Sequence, residues 1–207
     1  MKVTRVGTLT ALAVALFAPA AGAQICAGFP TVDRQFSFGA SLDFPEGGDR
    51  WGVEASYDLA GPLGVFGGLE VTNPDGEGDS FDTYHGGAAF TLLNLEAGLP
   101  LAVSVCPTAQ LGYTDVELGS LIQVPIGLGF GTYLSVAPAI PLMPYAIPQI
   151  VMSRFEIDDV DSETEWDFGF RGGVLVGFGI VFVGGEINHT FVEGADPSFG
   201  IRGGIKL

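Results

Sequence analysis

Hydrophobic and polar residues alternate along most of this chain with a period of two, the spacing of a β-strand. From Phe36 the even positions read Phe36, Phe38, Ala40, Leu42 and Phe44, and the odd positions Gln35, Ser37, Gly39, Ser41 and Asp43. After the turn PEGGD, Trp51, Val53, Ala55, Tyr57 and Leu59 share one face, and Gly52, Glu54, Ser56 and Asp58 the other. Beyond the AGP turn at 60–62, Leu63, Val65, Leu69 and Val71 alternate with Gly64, Gly68, Glu70 and Thr72. The run NPDGEGDSFD carries Asn-Pro and Asp-Gly and predicts a loop. Tyr84, Ala88, Phe90 and Leu92 then mark the next apolar face.

The pattern continues toward the C-terminus. A strand over 101–115 sets Val103, Val105, Leu111 and Tyr113 against Ser104, Cys106, Thr108, Gln110 and Thr114. Another over 121–134 alternates Ile122, Val124, Ile126, Leu128 and Phe130 with Gln123 and glycines. The proline-rich stretch 138–148 predicts a turn that leads into a strand over 145–157. The last three strands carry Trp166 to Phe178, Val181 to Ile187, and Phe199 to Leu207. The total is about ten strands joined up-and-down, with 8 or 12 also compatible. Leu118 to Ser153 holds no charge, but its prolines and glycines argue against membrane helices.

A soluble sandwich also alternates, so periodicity alone does not set the fold class. The strands are about ten residues long, the length a tilted strand needs to cross a bilayer. Soluble strands are nearer five or six. Trp, Tyr and Phe cluster toward strand ends, where aromatic girdles sit. The polar face holds few charges and many glycines, as a narrow lumen requires. The expectation is therefore all-β: an antiparallel up-and-down transmembrane β-barrel over 34–207.

Composition sharpens this picture. The 207 residues include 32 Gly and 13 Pro, and the net charge is −16. That charge excludes a nucleic-acid binder. Most of the 24 acidic residues fall in alternate loops, at 45–50, 73–82, 115–120, 156–167 and 193–197. An even strand number puts both termini on the periplasmic side, so these acidic loops would face outside. Residues 1–23 read as a signal peptide, with MKVTR as the basic start, an apolar run to Pro19, and Ala21-Gly22-Ala23 for cleavage. Residues 24–33 then form a periplasmic N-terminal segment that ends in CAGFPTVD. Export favours a disulfide between Cys26 and Cys106, the chain's two cysteines; two free thiols are the alternative.

Over 34–207 this pattern resembles the small bacterial outer-membrane barrels of the OmpA/OmpX and OmpW type. The resemblance is one of pattern and implies an architecture in the outer membrane. The final strand, SFGIRGGIKL, resembles the signal read by the barrel-insertion machinery, although Leu207 replaces the usual terminal aromatic residue. Outer-membrane lipid and lipopolysaccharide are the implied surroundings.

Asp43, Glu54, Asp58, Glu70, Arg171, Glu186, Arg202 and Lys206 share the inward parity. They form either a structural ion-pair network or a charge-lined path for small solutes. Asp75, Glu77 and Asp79 alternate in a Gly-rich loop. They read as a solvated acidic loop, or as weak candidate ligands for a divalent cation that could bridge lipopolysaccharide. His85 and His189 are the only histidines. Lipid A deacylase barrels use a His with a Ser two residues later, and here that place holds Phe191. Asp82 near His85 is the one local acid–base candidate. No hydrolase, metalloprotease or phosphate-loop motif occurs. The expectation is a non-enzymatic surface protein without cofactor, with a narrow channel for small or apolar solutes as the alternative and a lipid- or peptide-modifying membrane enzyme as a remote one.

Overall fold

A computed structural model describes Cys26, Gly28 and residues 36–59, 62–76, 78–96, 101–116, 119–137, 140–157, 162–192 and 195–207. The expected signal peptide and Glu77 lie outside these residues. The strands are β1 (Phe36–Phe44), β2 (Gly48–Asp58), β3 (Leu63–Pro74), β4 (Phe81–Phe90), β5 (Leu93–Glu96), β6 (Leu101–Val116), β7 (Gly119–Ala137), β8 (Ile140–Ile157), β9 (Glu163–Phe178), β10 (Val181–Thr190) and β11 (Ser198–Lys206).

All neighbours are antiparallel, and the sheet closes on itself. β1 pairs β11 from Ser37↔Lys206 to Phe44↔Phe199. β4 pairs β6 from Thr83↔Thr114 to Ala89↔Thr108, and β5 pairs β6 from Leu93↔Val105 to Glu96↔Ala102. The register slips by one residue between those two runs, as at a bulge. β4 and β5 are thus two parts of one wall strand. The result is a ten-strand up-and-down barrel, which no helix crosses among the described residues. Closure removes the free sheet edges that a membrane cannot tolerate.

The period of two sorts side chains as the sequence implies. Along β1, Phe36, Phe38, Leu42 and Phe44 are exposed, whereas Ser37 and Gly39 are buried. The outer face carries Leu111, Ile126, Ile150 and Ile201, each more than half exposed. Toward the acidic-loop end it bears Trp51, Tyr84, Tyr113 and Trp166; toward the other end, Phe36, Tyr57 and Phe178. Two aromatic rims thus flank an aliphatic band, the arrangement of a membrane-spanning barrel.

One expectation needs correction. Residues 140–148 are not a turn but the first half of β8. Pro144 and Pro148 lie within a wall strand paired on both sides. The pairing with β7 skips from Gly127↔Gln149 to Phe130↔Ala146, and from Gly131↔Tyr145 to Leu134↔Leu142. Against β9 the register runs unbroken from Leu142↔Val176 to Phe155↔Glu163. A proline removes one donor, yet its fixed φ suits extended backbone. The neighbouring donors hold the strand in place.

Candidate functional site

The barrel's polar features converge on its lumen. β1 supplies Asp43, β2 supplies Arg50 and Glu54, and β3 supplies Glu70. His85 comes from β4, Arg171 from β9, Glu186 from β10 and Arg202 from β11. These side chains surround a cavity of about 140 Å³. On the other side β6, β7 and β8 present Gln110, Gln123 and Gln149. The vestibule therefore has one charged wall and one amide wall.

Glycines make room for the long ionised side chains. Glu54 stands between Gly39 and Gly68 in the register, and Glu186 between Gly173 and Gly200. In a narrow bore, two such side chains abreast would collide.

Glu186 is the hub. It accepts from Arg171 Nε at 3.0 Å, lies 3.6 Å from Arg202 Nη1, and accepts the Tyr145 hydroxyl. Arg202 Nη2 reaches Glu54 at 2.9 Å, and its Nη1 donates to the Gly28 carbonyl at 3.0 Å. A second, looser group joins Arg50 to Glu70 at 3.6 Å and to Thr72 Oγ1 at 3.3 Å. His85 Nδ1 lies 3.9 Å from Glu70. Paired and hydrogen-bonded, these charges avoid the several kcal/mol that each isolated buried ion costs, about 3–5 kcal/mol when one partner of a pair is removed.

Below the vestibule, two clusters of buried side chains enter the lumen. Met143, Tyr145, Ile147, Leu175 and Phe182 form one buried cluster. Cys26, Cys106 and Ala89 form another, with Phe66 packed against it. Cys26 and Cys106 are disulfide-bonded, their Cα atoms 6.0 Å apart, and both are fully buried. Cys26 and Gly28 therefore sit inside the barrel: Cys26 is bonded to the wall and Gly28 lies against the Tyr145 ring.

The structure brings together most of the inward charges read from parity. Glu54, Glu70, Arg171, Glu186 and Arg202 are ion-paired, and Asp43 lines the same cavity. Asp58 and Lys206 share the inward face but lie toward the opposite end and do not line the vestibule; Lys206 is buried there. Three participants were not read from the sequence. Arg50 sits at the edge of a turn motif, although its parity matches Glu54. His85 follows the parity of Thr83. Tyr145 stands where the expected turn passes into the expected strand over 145–157, and the prolines around it left its face unassigned.

The acid–base candidate does not assemble. Asp82 is exposed on the outer face of β4, whereas His85 points into the lumen. His189 packs edge-on to Phe191 with centroids 4.4 Å apart. Its register neighbour Phe170 likewise belongs to the outward set, away from the vestibule. Asp75 and Asp79 are exposed in the β3–β4 loop. Among the described residues no three His, Cys, Asp or Glu side chains are grouped as a metal site.

The closed wall, apolar outside and polar within, is the fold of the small outer-membrane β-barrels. Solved structures similar to it include the attachment invasion locus protein Ail of Yersinia pestis, at 9% identity and TM-score 0.34, over 84% of this chain and 95% of that one. Neisserial surface protein A is similar at 10% identity and TM-score 0.32, over 83% and 96%. OmpT of Vibrio cholerae is similar at 14% identity and TM-score 0.30, over 83% and 98%. No family model and no curated protein matches the chain.

Proposed function

We propose that this protein is a non-enzymatic resident of the bacterial outer membrane that serves as a closed scaffold and presents acidic loops at the cell exterior. The observation that carries this reading is the set of side chains that meet across the lumen. A barrel built to pass solutes keeps its bore clear, whereas here paired charges, an apolar cluster and the Cys26–Cys106 bond occupy it. The acidic loops lie at the end opposite both termini, the exterior end in barrels of this kind. In this reading the signal peptide is removed on export. The C-terminal strand is recognised by the insertion machinery, and divalent cations link the acidic loops to lipopolysaccharide.

Fractionation and surface proteolysis test the proposal. The protein is expected in the outer-membrane fraction, with a mobility that changes on boiling in detergent. Protease added to whole cells should cut in the acidic loops. Recovery in the soluble periplasmic fraction without a heat-dependent mobility shift would overturn the reading. Wild-type protein in planar bilayers is expected to be silent, and steady conductance would favour the narrow channel instead.

A further inference from the structure

The charges around the vestibule do not balance. Three of its carboxylates face three arginines: Glu70 with Arg50, Glu54 with Arg202, and Glu186 with Arg171. The fourth belongs to Asp43, whose carboxylate makes no ion pair or hydrogen bond among the described residues. Arg50 stands opposite Asp43 in the β1–β2 register, but its guanidinium turns to Glu70 and Thr72. On the other side Asp43 faces Gly200, and its carboxylate fills the place that a side chain on Gly200 would take. With His85 neutral, the cavity therefore holds one negative charge in excess. Across the cavity, the Gln110 and Gln149 amides make no hydrogen bond among the described residues. Each can both donate and accept.

We propose that the vestibule is a binding site for a small organic monocation, a primary ammonium on a hydroxylated body, with Asp43 as its counter-ion. A half-buried carboxylate without a counter-charge is costly, and one positive charge restores the balance. An ammonium brings three donors to that carboxylate. Hydroxyls on the body both donate and accept, as the facing amides require. A divalent metal would need several oxygen ligands gathered on one point. Among the described residues no three His, Cys, Asp or Glu side chains are so grouped. The cavity of about 140 Å³ has room for about ten waters, and so for a guest of about ten non-hydrogen atoms. Asp43, Thr190 and Ser198 line it at or next to the strand ends that carry the acidic loops. Those loops raise the local concentration of cations at the mouth. The site rests on the reading above only for the side of the membrane from which the guest arrives.

The test compares aminopropanediol with glycerol, its neutral isostere, as guests of the barrel in detergent. The barrel is shown folded by heat-dependent mobility, and binding is read by ligand-observed NMR at neutral pH, where the amine is protonated. The amine should bind at least about tenfold more tightly than glycerol, the worth of one hydrogen bond to a charged group. Asp43→Asn should remove that preference and leave the urea midpoint unchanged, because the carboxylate has no protein partner to lose. Equal binding of the two guests by the wild type would overturn the proposal. So would an Asp43→Asn barrel that keeps the preference. If that variant does not fold, Gly200→Ala takes its place, since its methyl group must displace the carboxylate, and the same loss is expected. Displacement of the amine by an equal concentration of magnesium chloride would replace the ammonium site with a metal site and overturn the assignment. A folded barrel that discriminates nothing overturns this site and leaves the membrane scaffold standing. Recovery of the protein from the soluble fraction overturns the scaffold and leaves the comparison of guests intact.

Discussion

Arg202 Nη1 donates a hydrogen bond to the carbonyl of Gly28 at 3.0 Å, across 174 positions of sequence. The same guanidinium reaches Glu54 at 2.9 Å through Nη2. One side chain on the last strand thus ties the second strand and the N-terminal segment together. Its fork of donors makes this possible; a lysine has one point of charge to offer.

Removing that guanidinium should be costly. Arg202→Met leaves the Glu54 and Glu186 carboxylates without their shared cation. The expected loss is about 3–5 kcal/mol of unfolding free energy, the cost of breaking a buried pair on one side. Arg202→Lys should recover part of it. Urea unfolding in detergent, followed by the heat-dependent mobility shift, measures both. A loss within error of zero would remove Arg202 from its structural role.

The Cys26–Cys106 bond closes a loop with a sequence separation of 80. Cys106→Ser should cost about 4 kcal/mol in the chain-entropy account. The same unfolding experiment, run with and without reductant during refolding, checks this. Reductant should lower the stability of the wild type to that of the variant and leave the variant unchanged.

Gly129 faces the backbone carbonyl of Cys26, and Gly28 adopts φ +86° with the Tyr145 ring against it. A side chain at either position must displace the segment. Gly129→Val is expected to yield two titratable thiols after refolding in an oxidising buffer, where the wild type yields none. An intact disulfide in that variant would show that the segment tolerates a shifted path.

The outer face should tolerate apolar exchange but not charge. Ile126 is 52% exposed near the middle of β7. Ile126→Arg should cost about 2–4 kcal/mol in a bilayer if the residue lies at mid-depth, and much less near the rims. Ile126→Leu serves as the control. A cost near zero in lipid would argue against a lipid-facing surface.

At the acidic rim, Glu46 hydrogen-bonds the side chain of Asp196, and the two carboxyls repel when both are ionised. Each effect holds the Glu46 carboxyl above its ordinary range. A raised folded-state value means stabilisation that is fully present below the unfolded value and is lost as pH rises through the folded one. The two exposed loops should therefore be drawn together in acid and part toward neutral pH. Amide hydrogen exchange at Glu46, Gly47, Ala195 and Asp196, compared across that range, reads the change. Glu46→Gln keeps a donor at every pH and should flatten the profile.

Much of this architecture is legible in the chain itself. Strict alternation from Phe36 to Phe44 determines which side chains meet lipid, because the pleat leaves each residue one face. Strand length separates a membrane wall from a sandwich, and parity alone places Glu54, Glu186 and Arg202 in one lumen. The alternating acidic loops follow from the same count. Proline obscured the first half of β8, because local propensity registers the lost donor and not the two neighbouring strands that hold the backbone. Tyr145, the first residue of the expected strand, was left without an assigned face.

Tertiary structure alone decided the rest. Parity assigns a face, but which charges touch depends on the stagger between strands that are distant in sequence. Glu186 finds Arg171, Arg202 and Tyr145 only once the sheet has closed. Asp82 and His85, close in the chain, end on opposite faces. The two cysteines permitted a bond, but only the packed lumen placed Cys26 inside the wall. There, its carbonyl lies where a side chain on Gly129 would stand, and it packs with Ala89 and Cys106. That contact belongs to the closed barrel, because no single strand contains both sides of it.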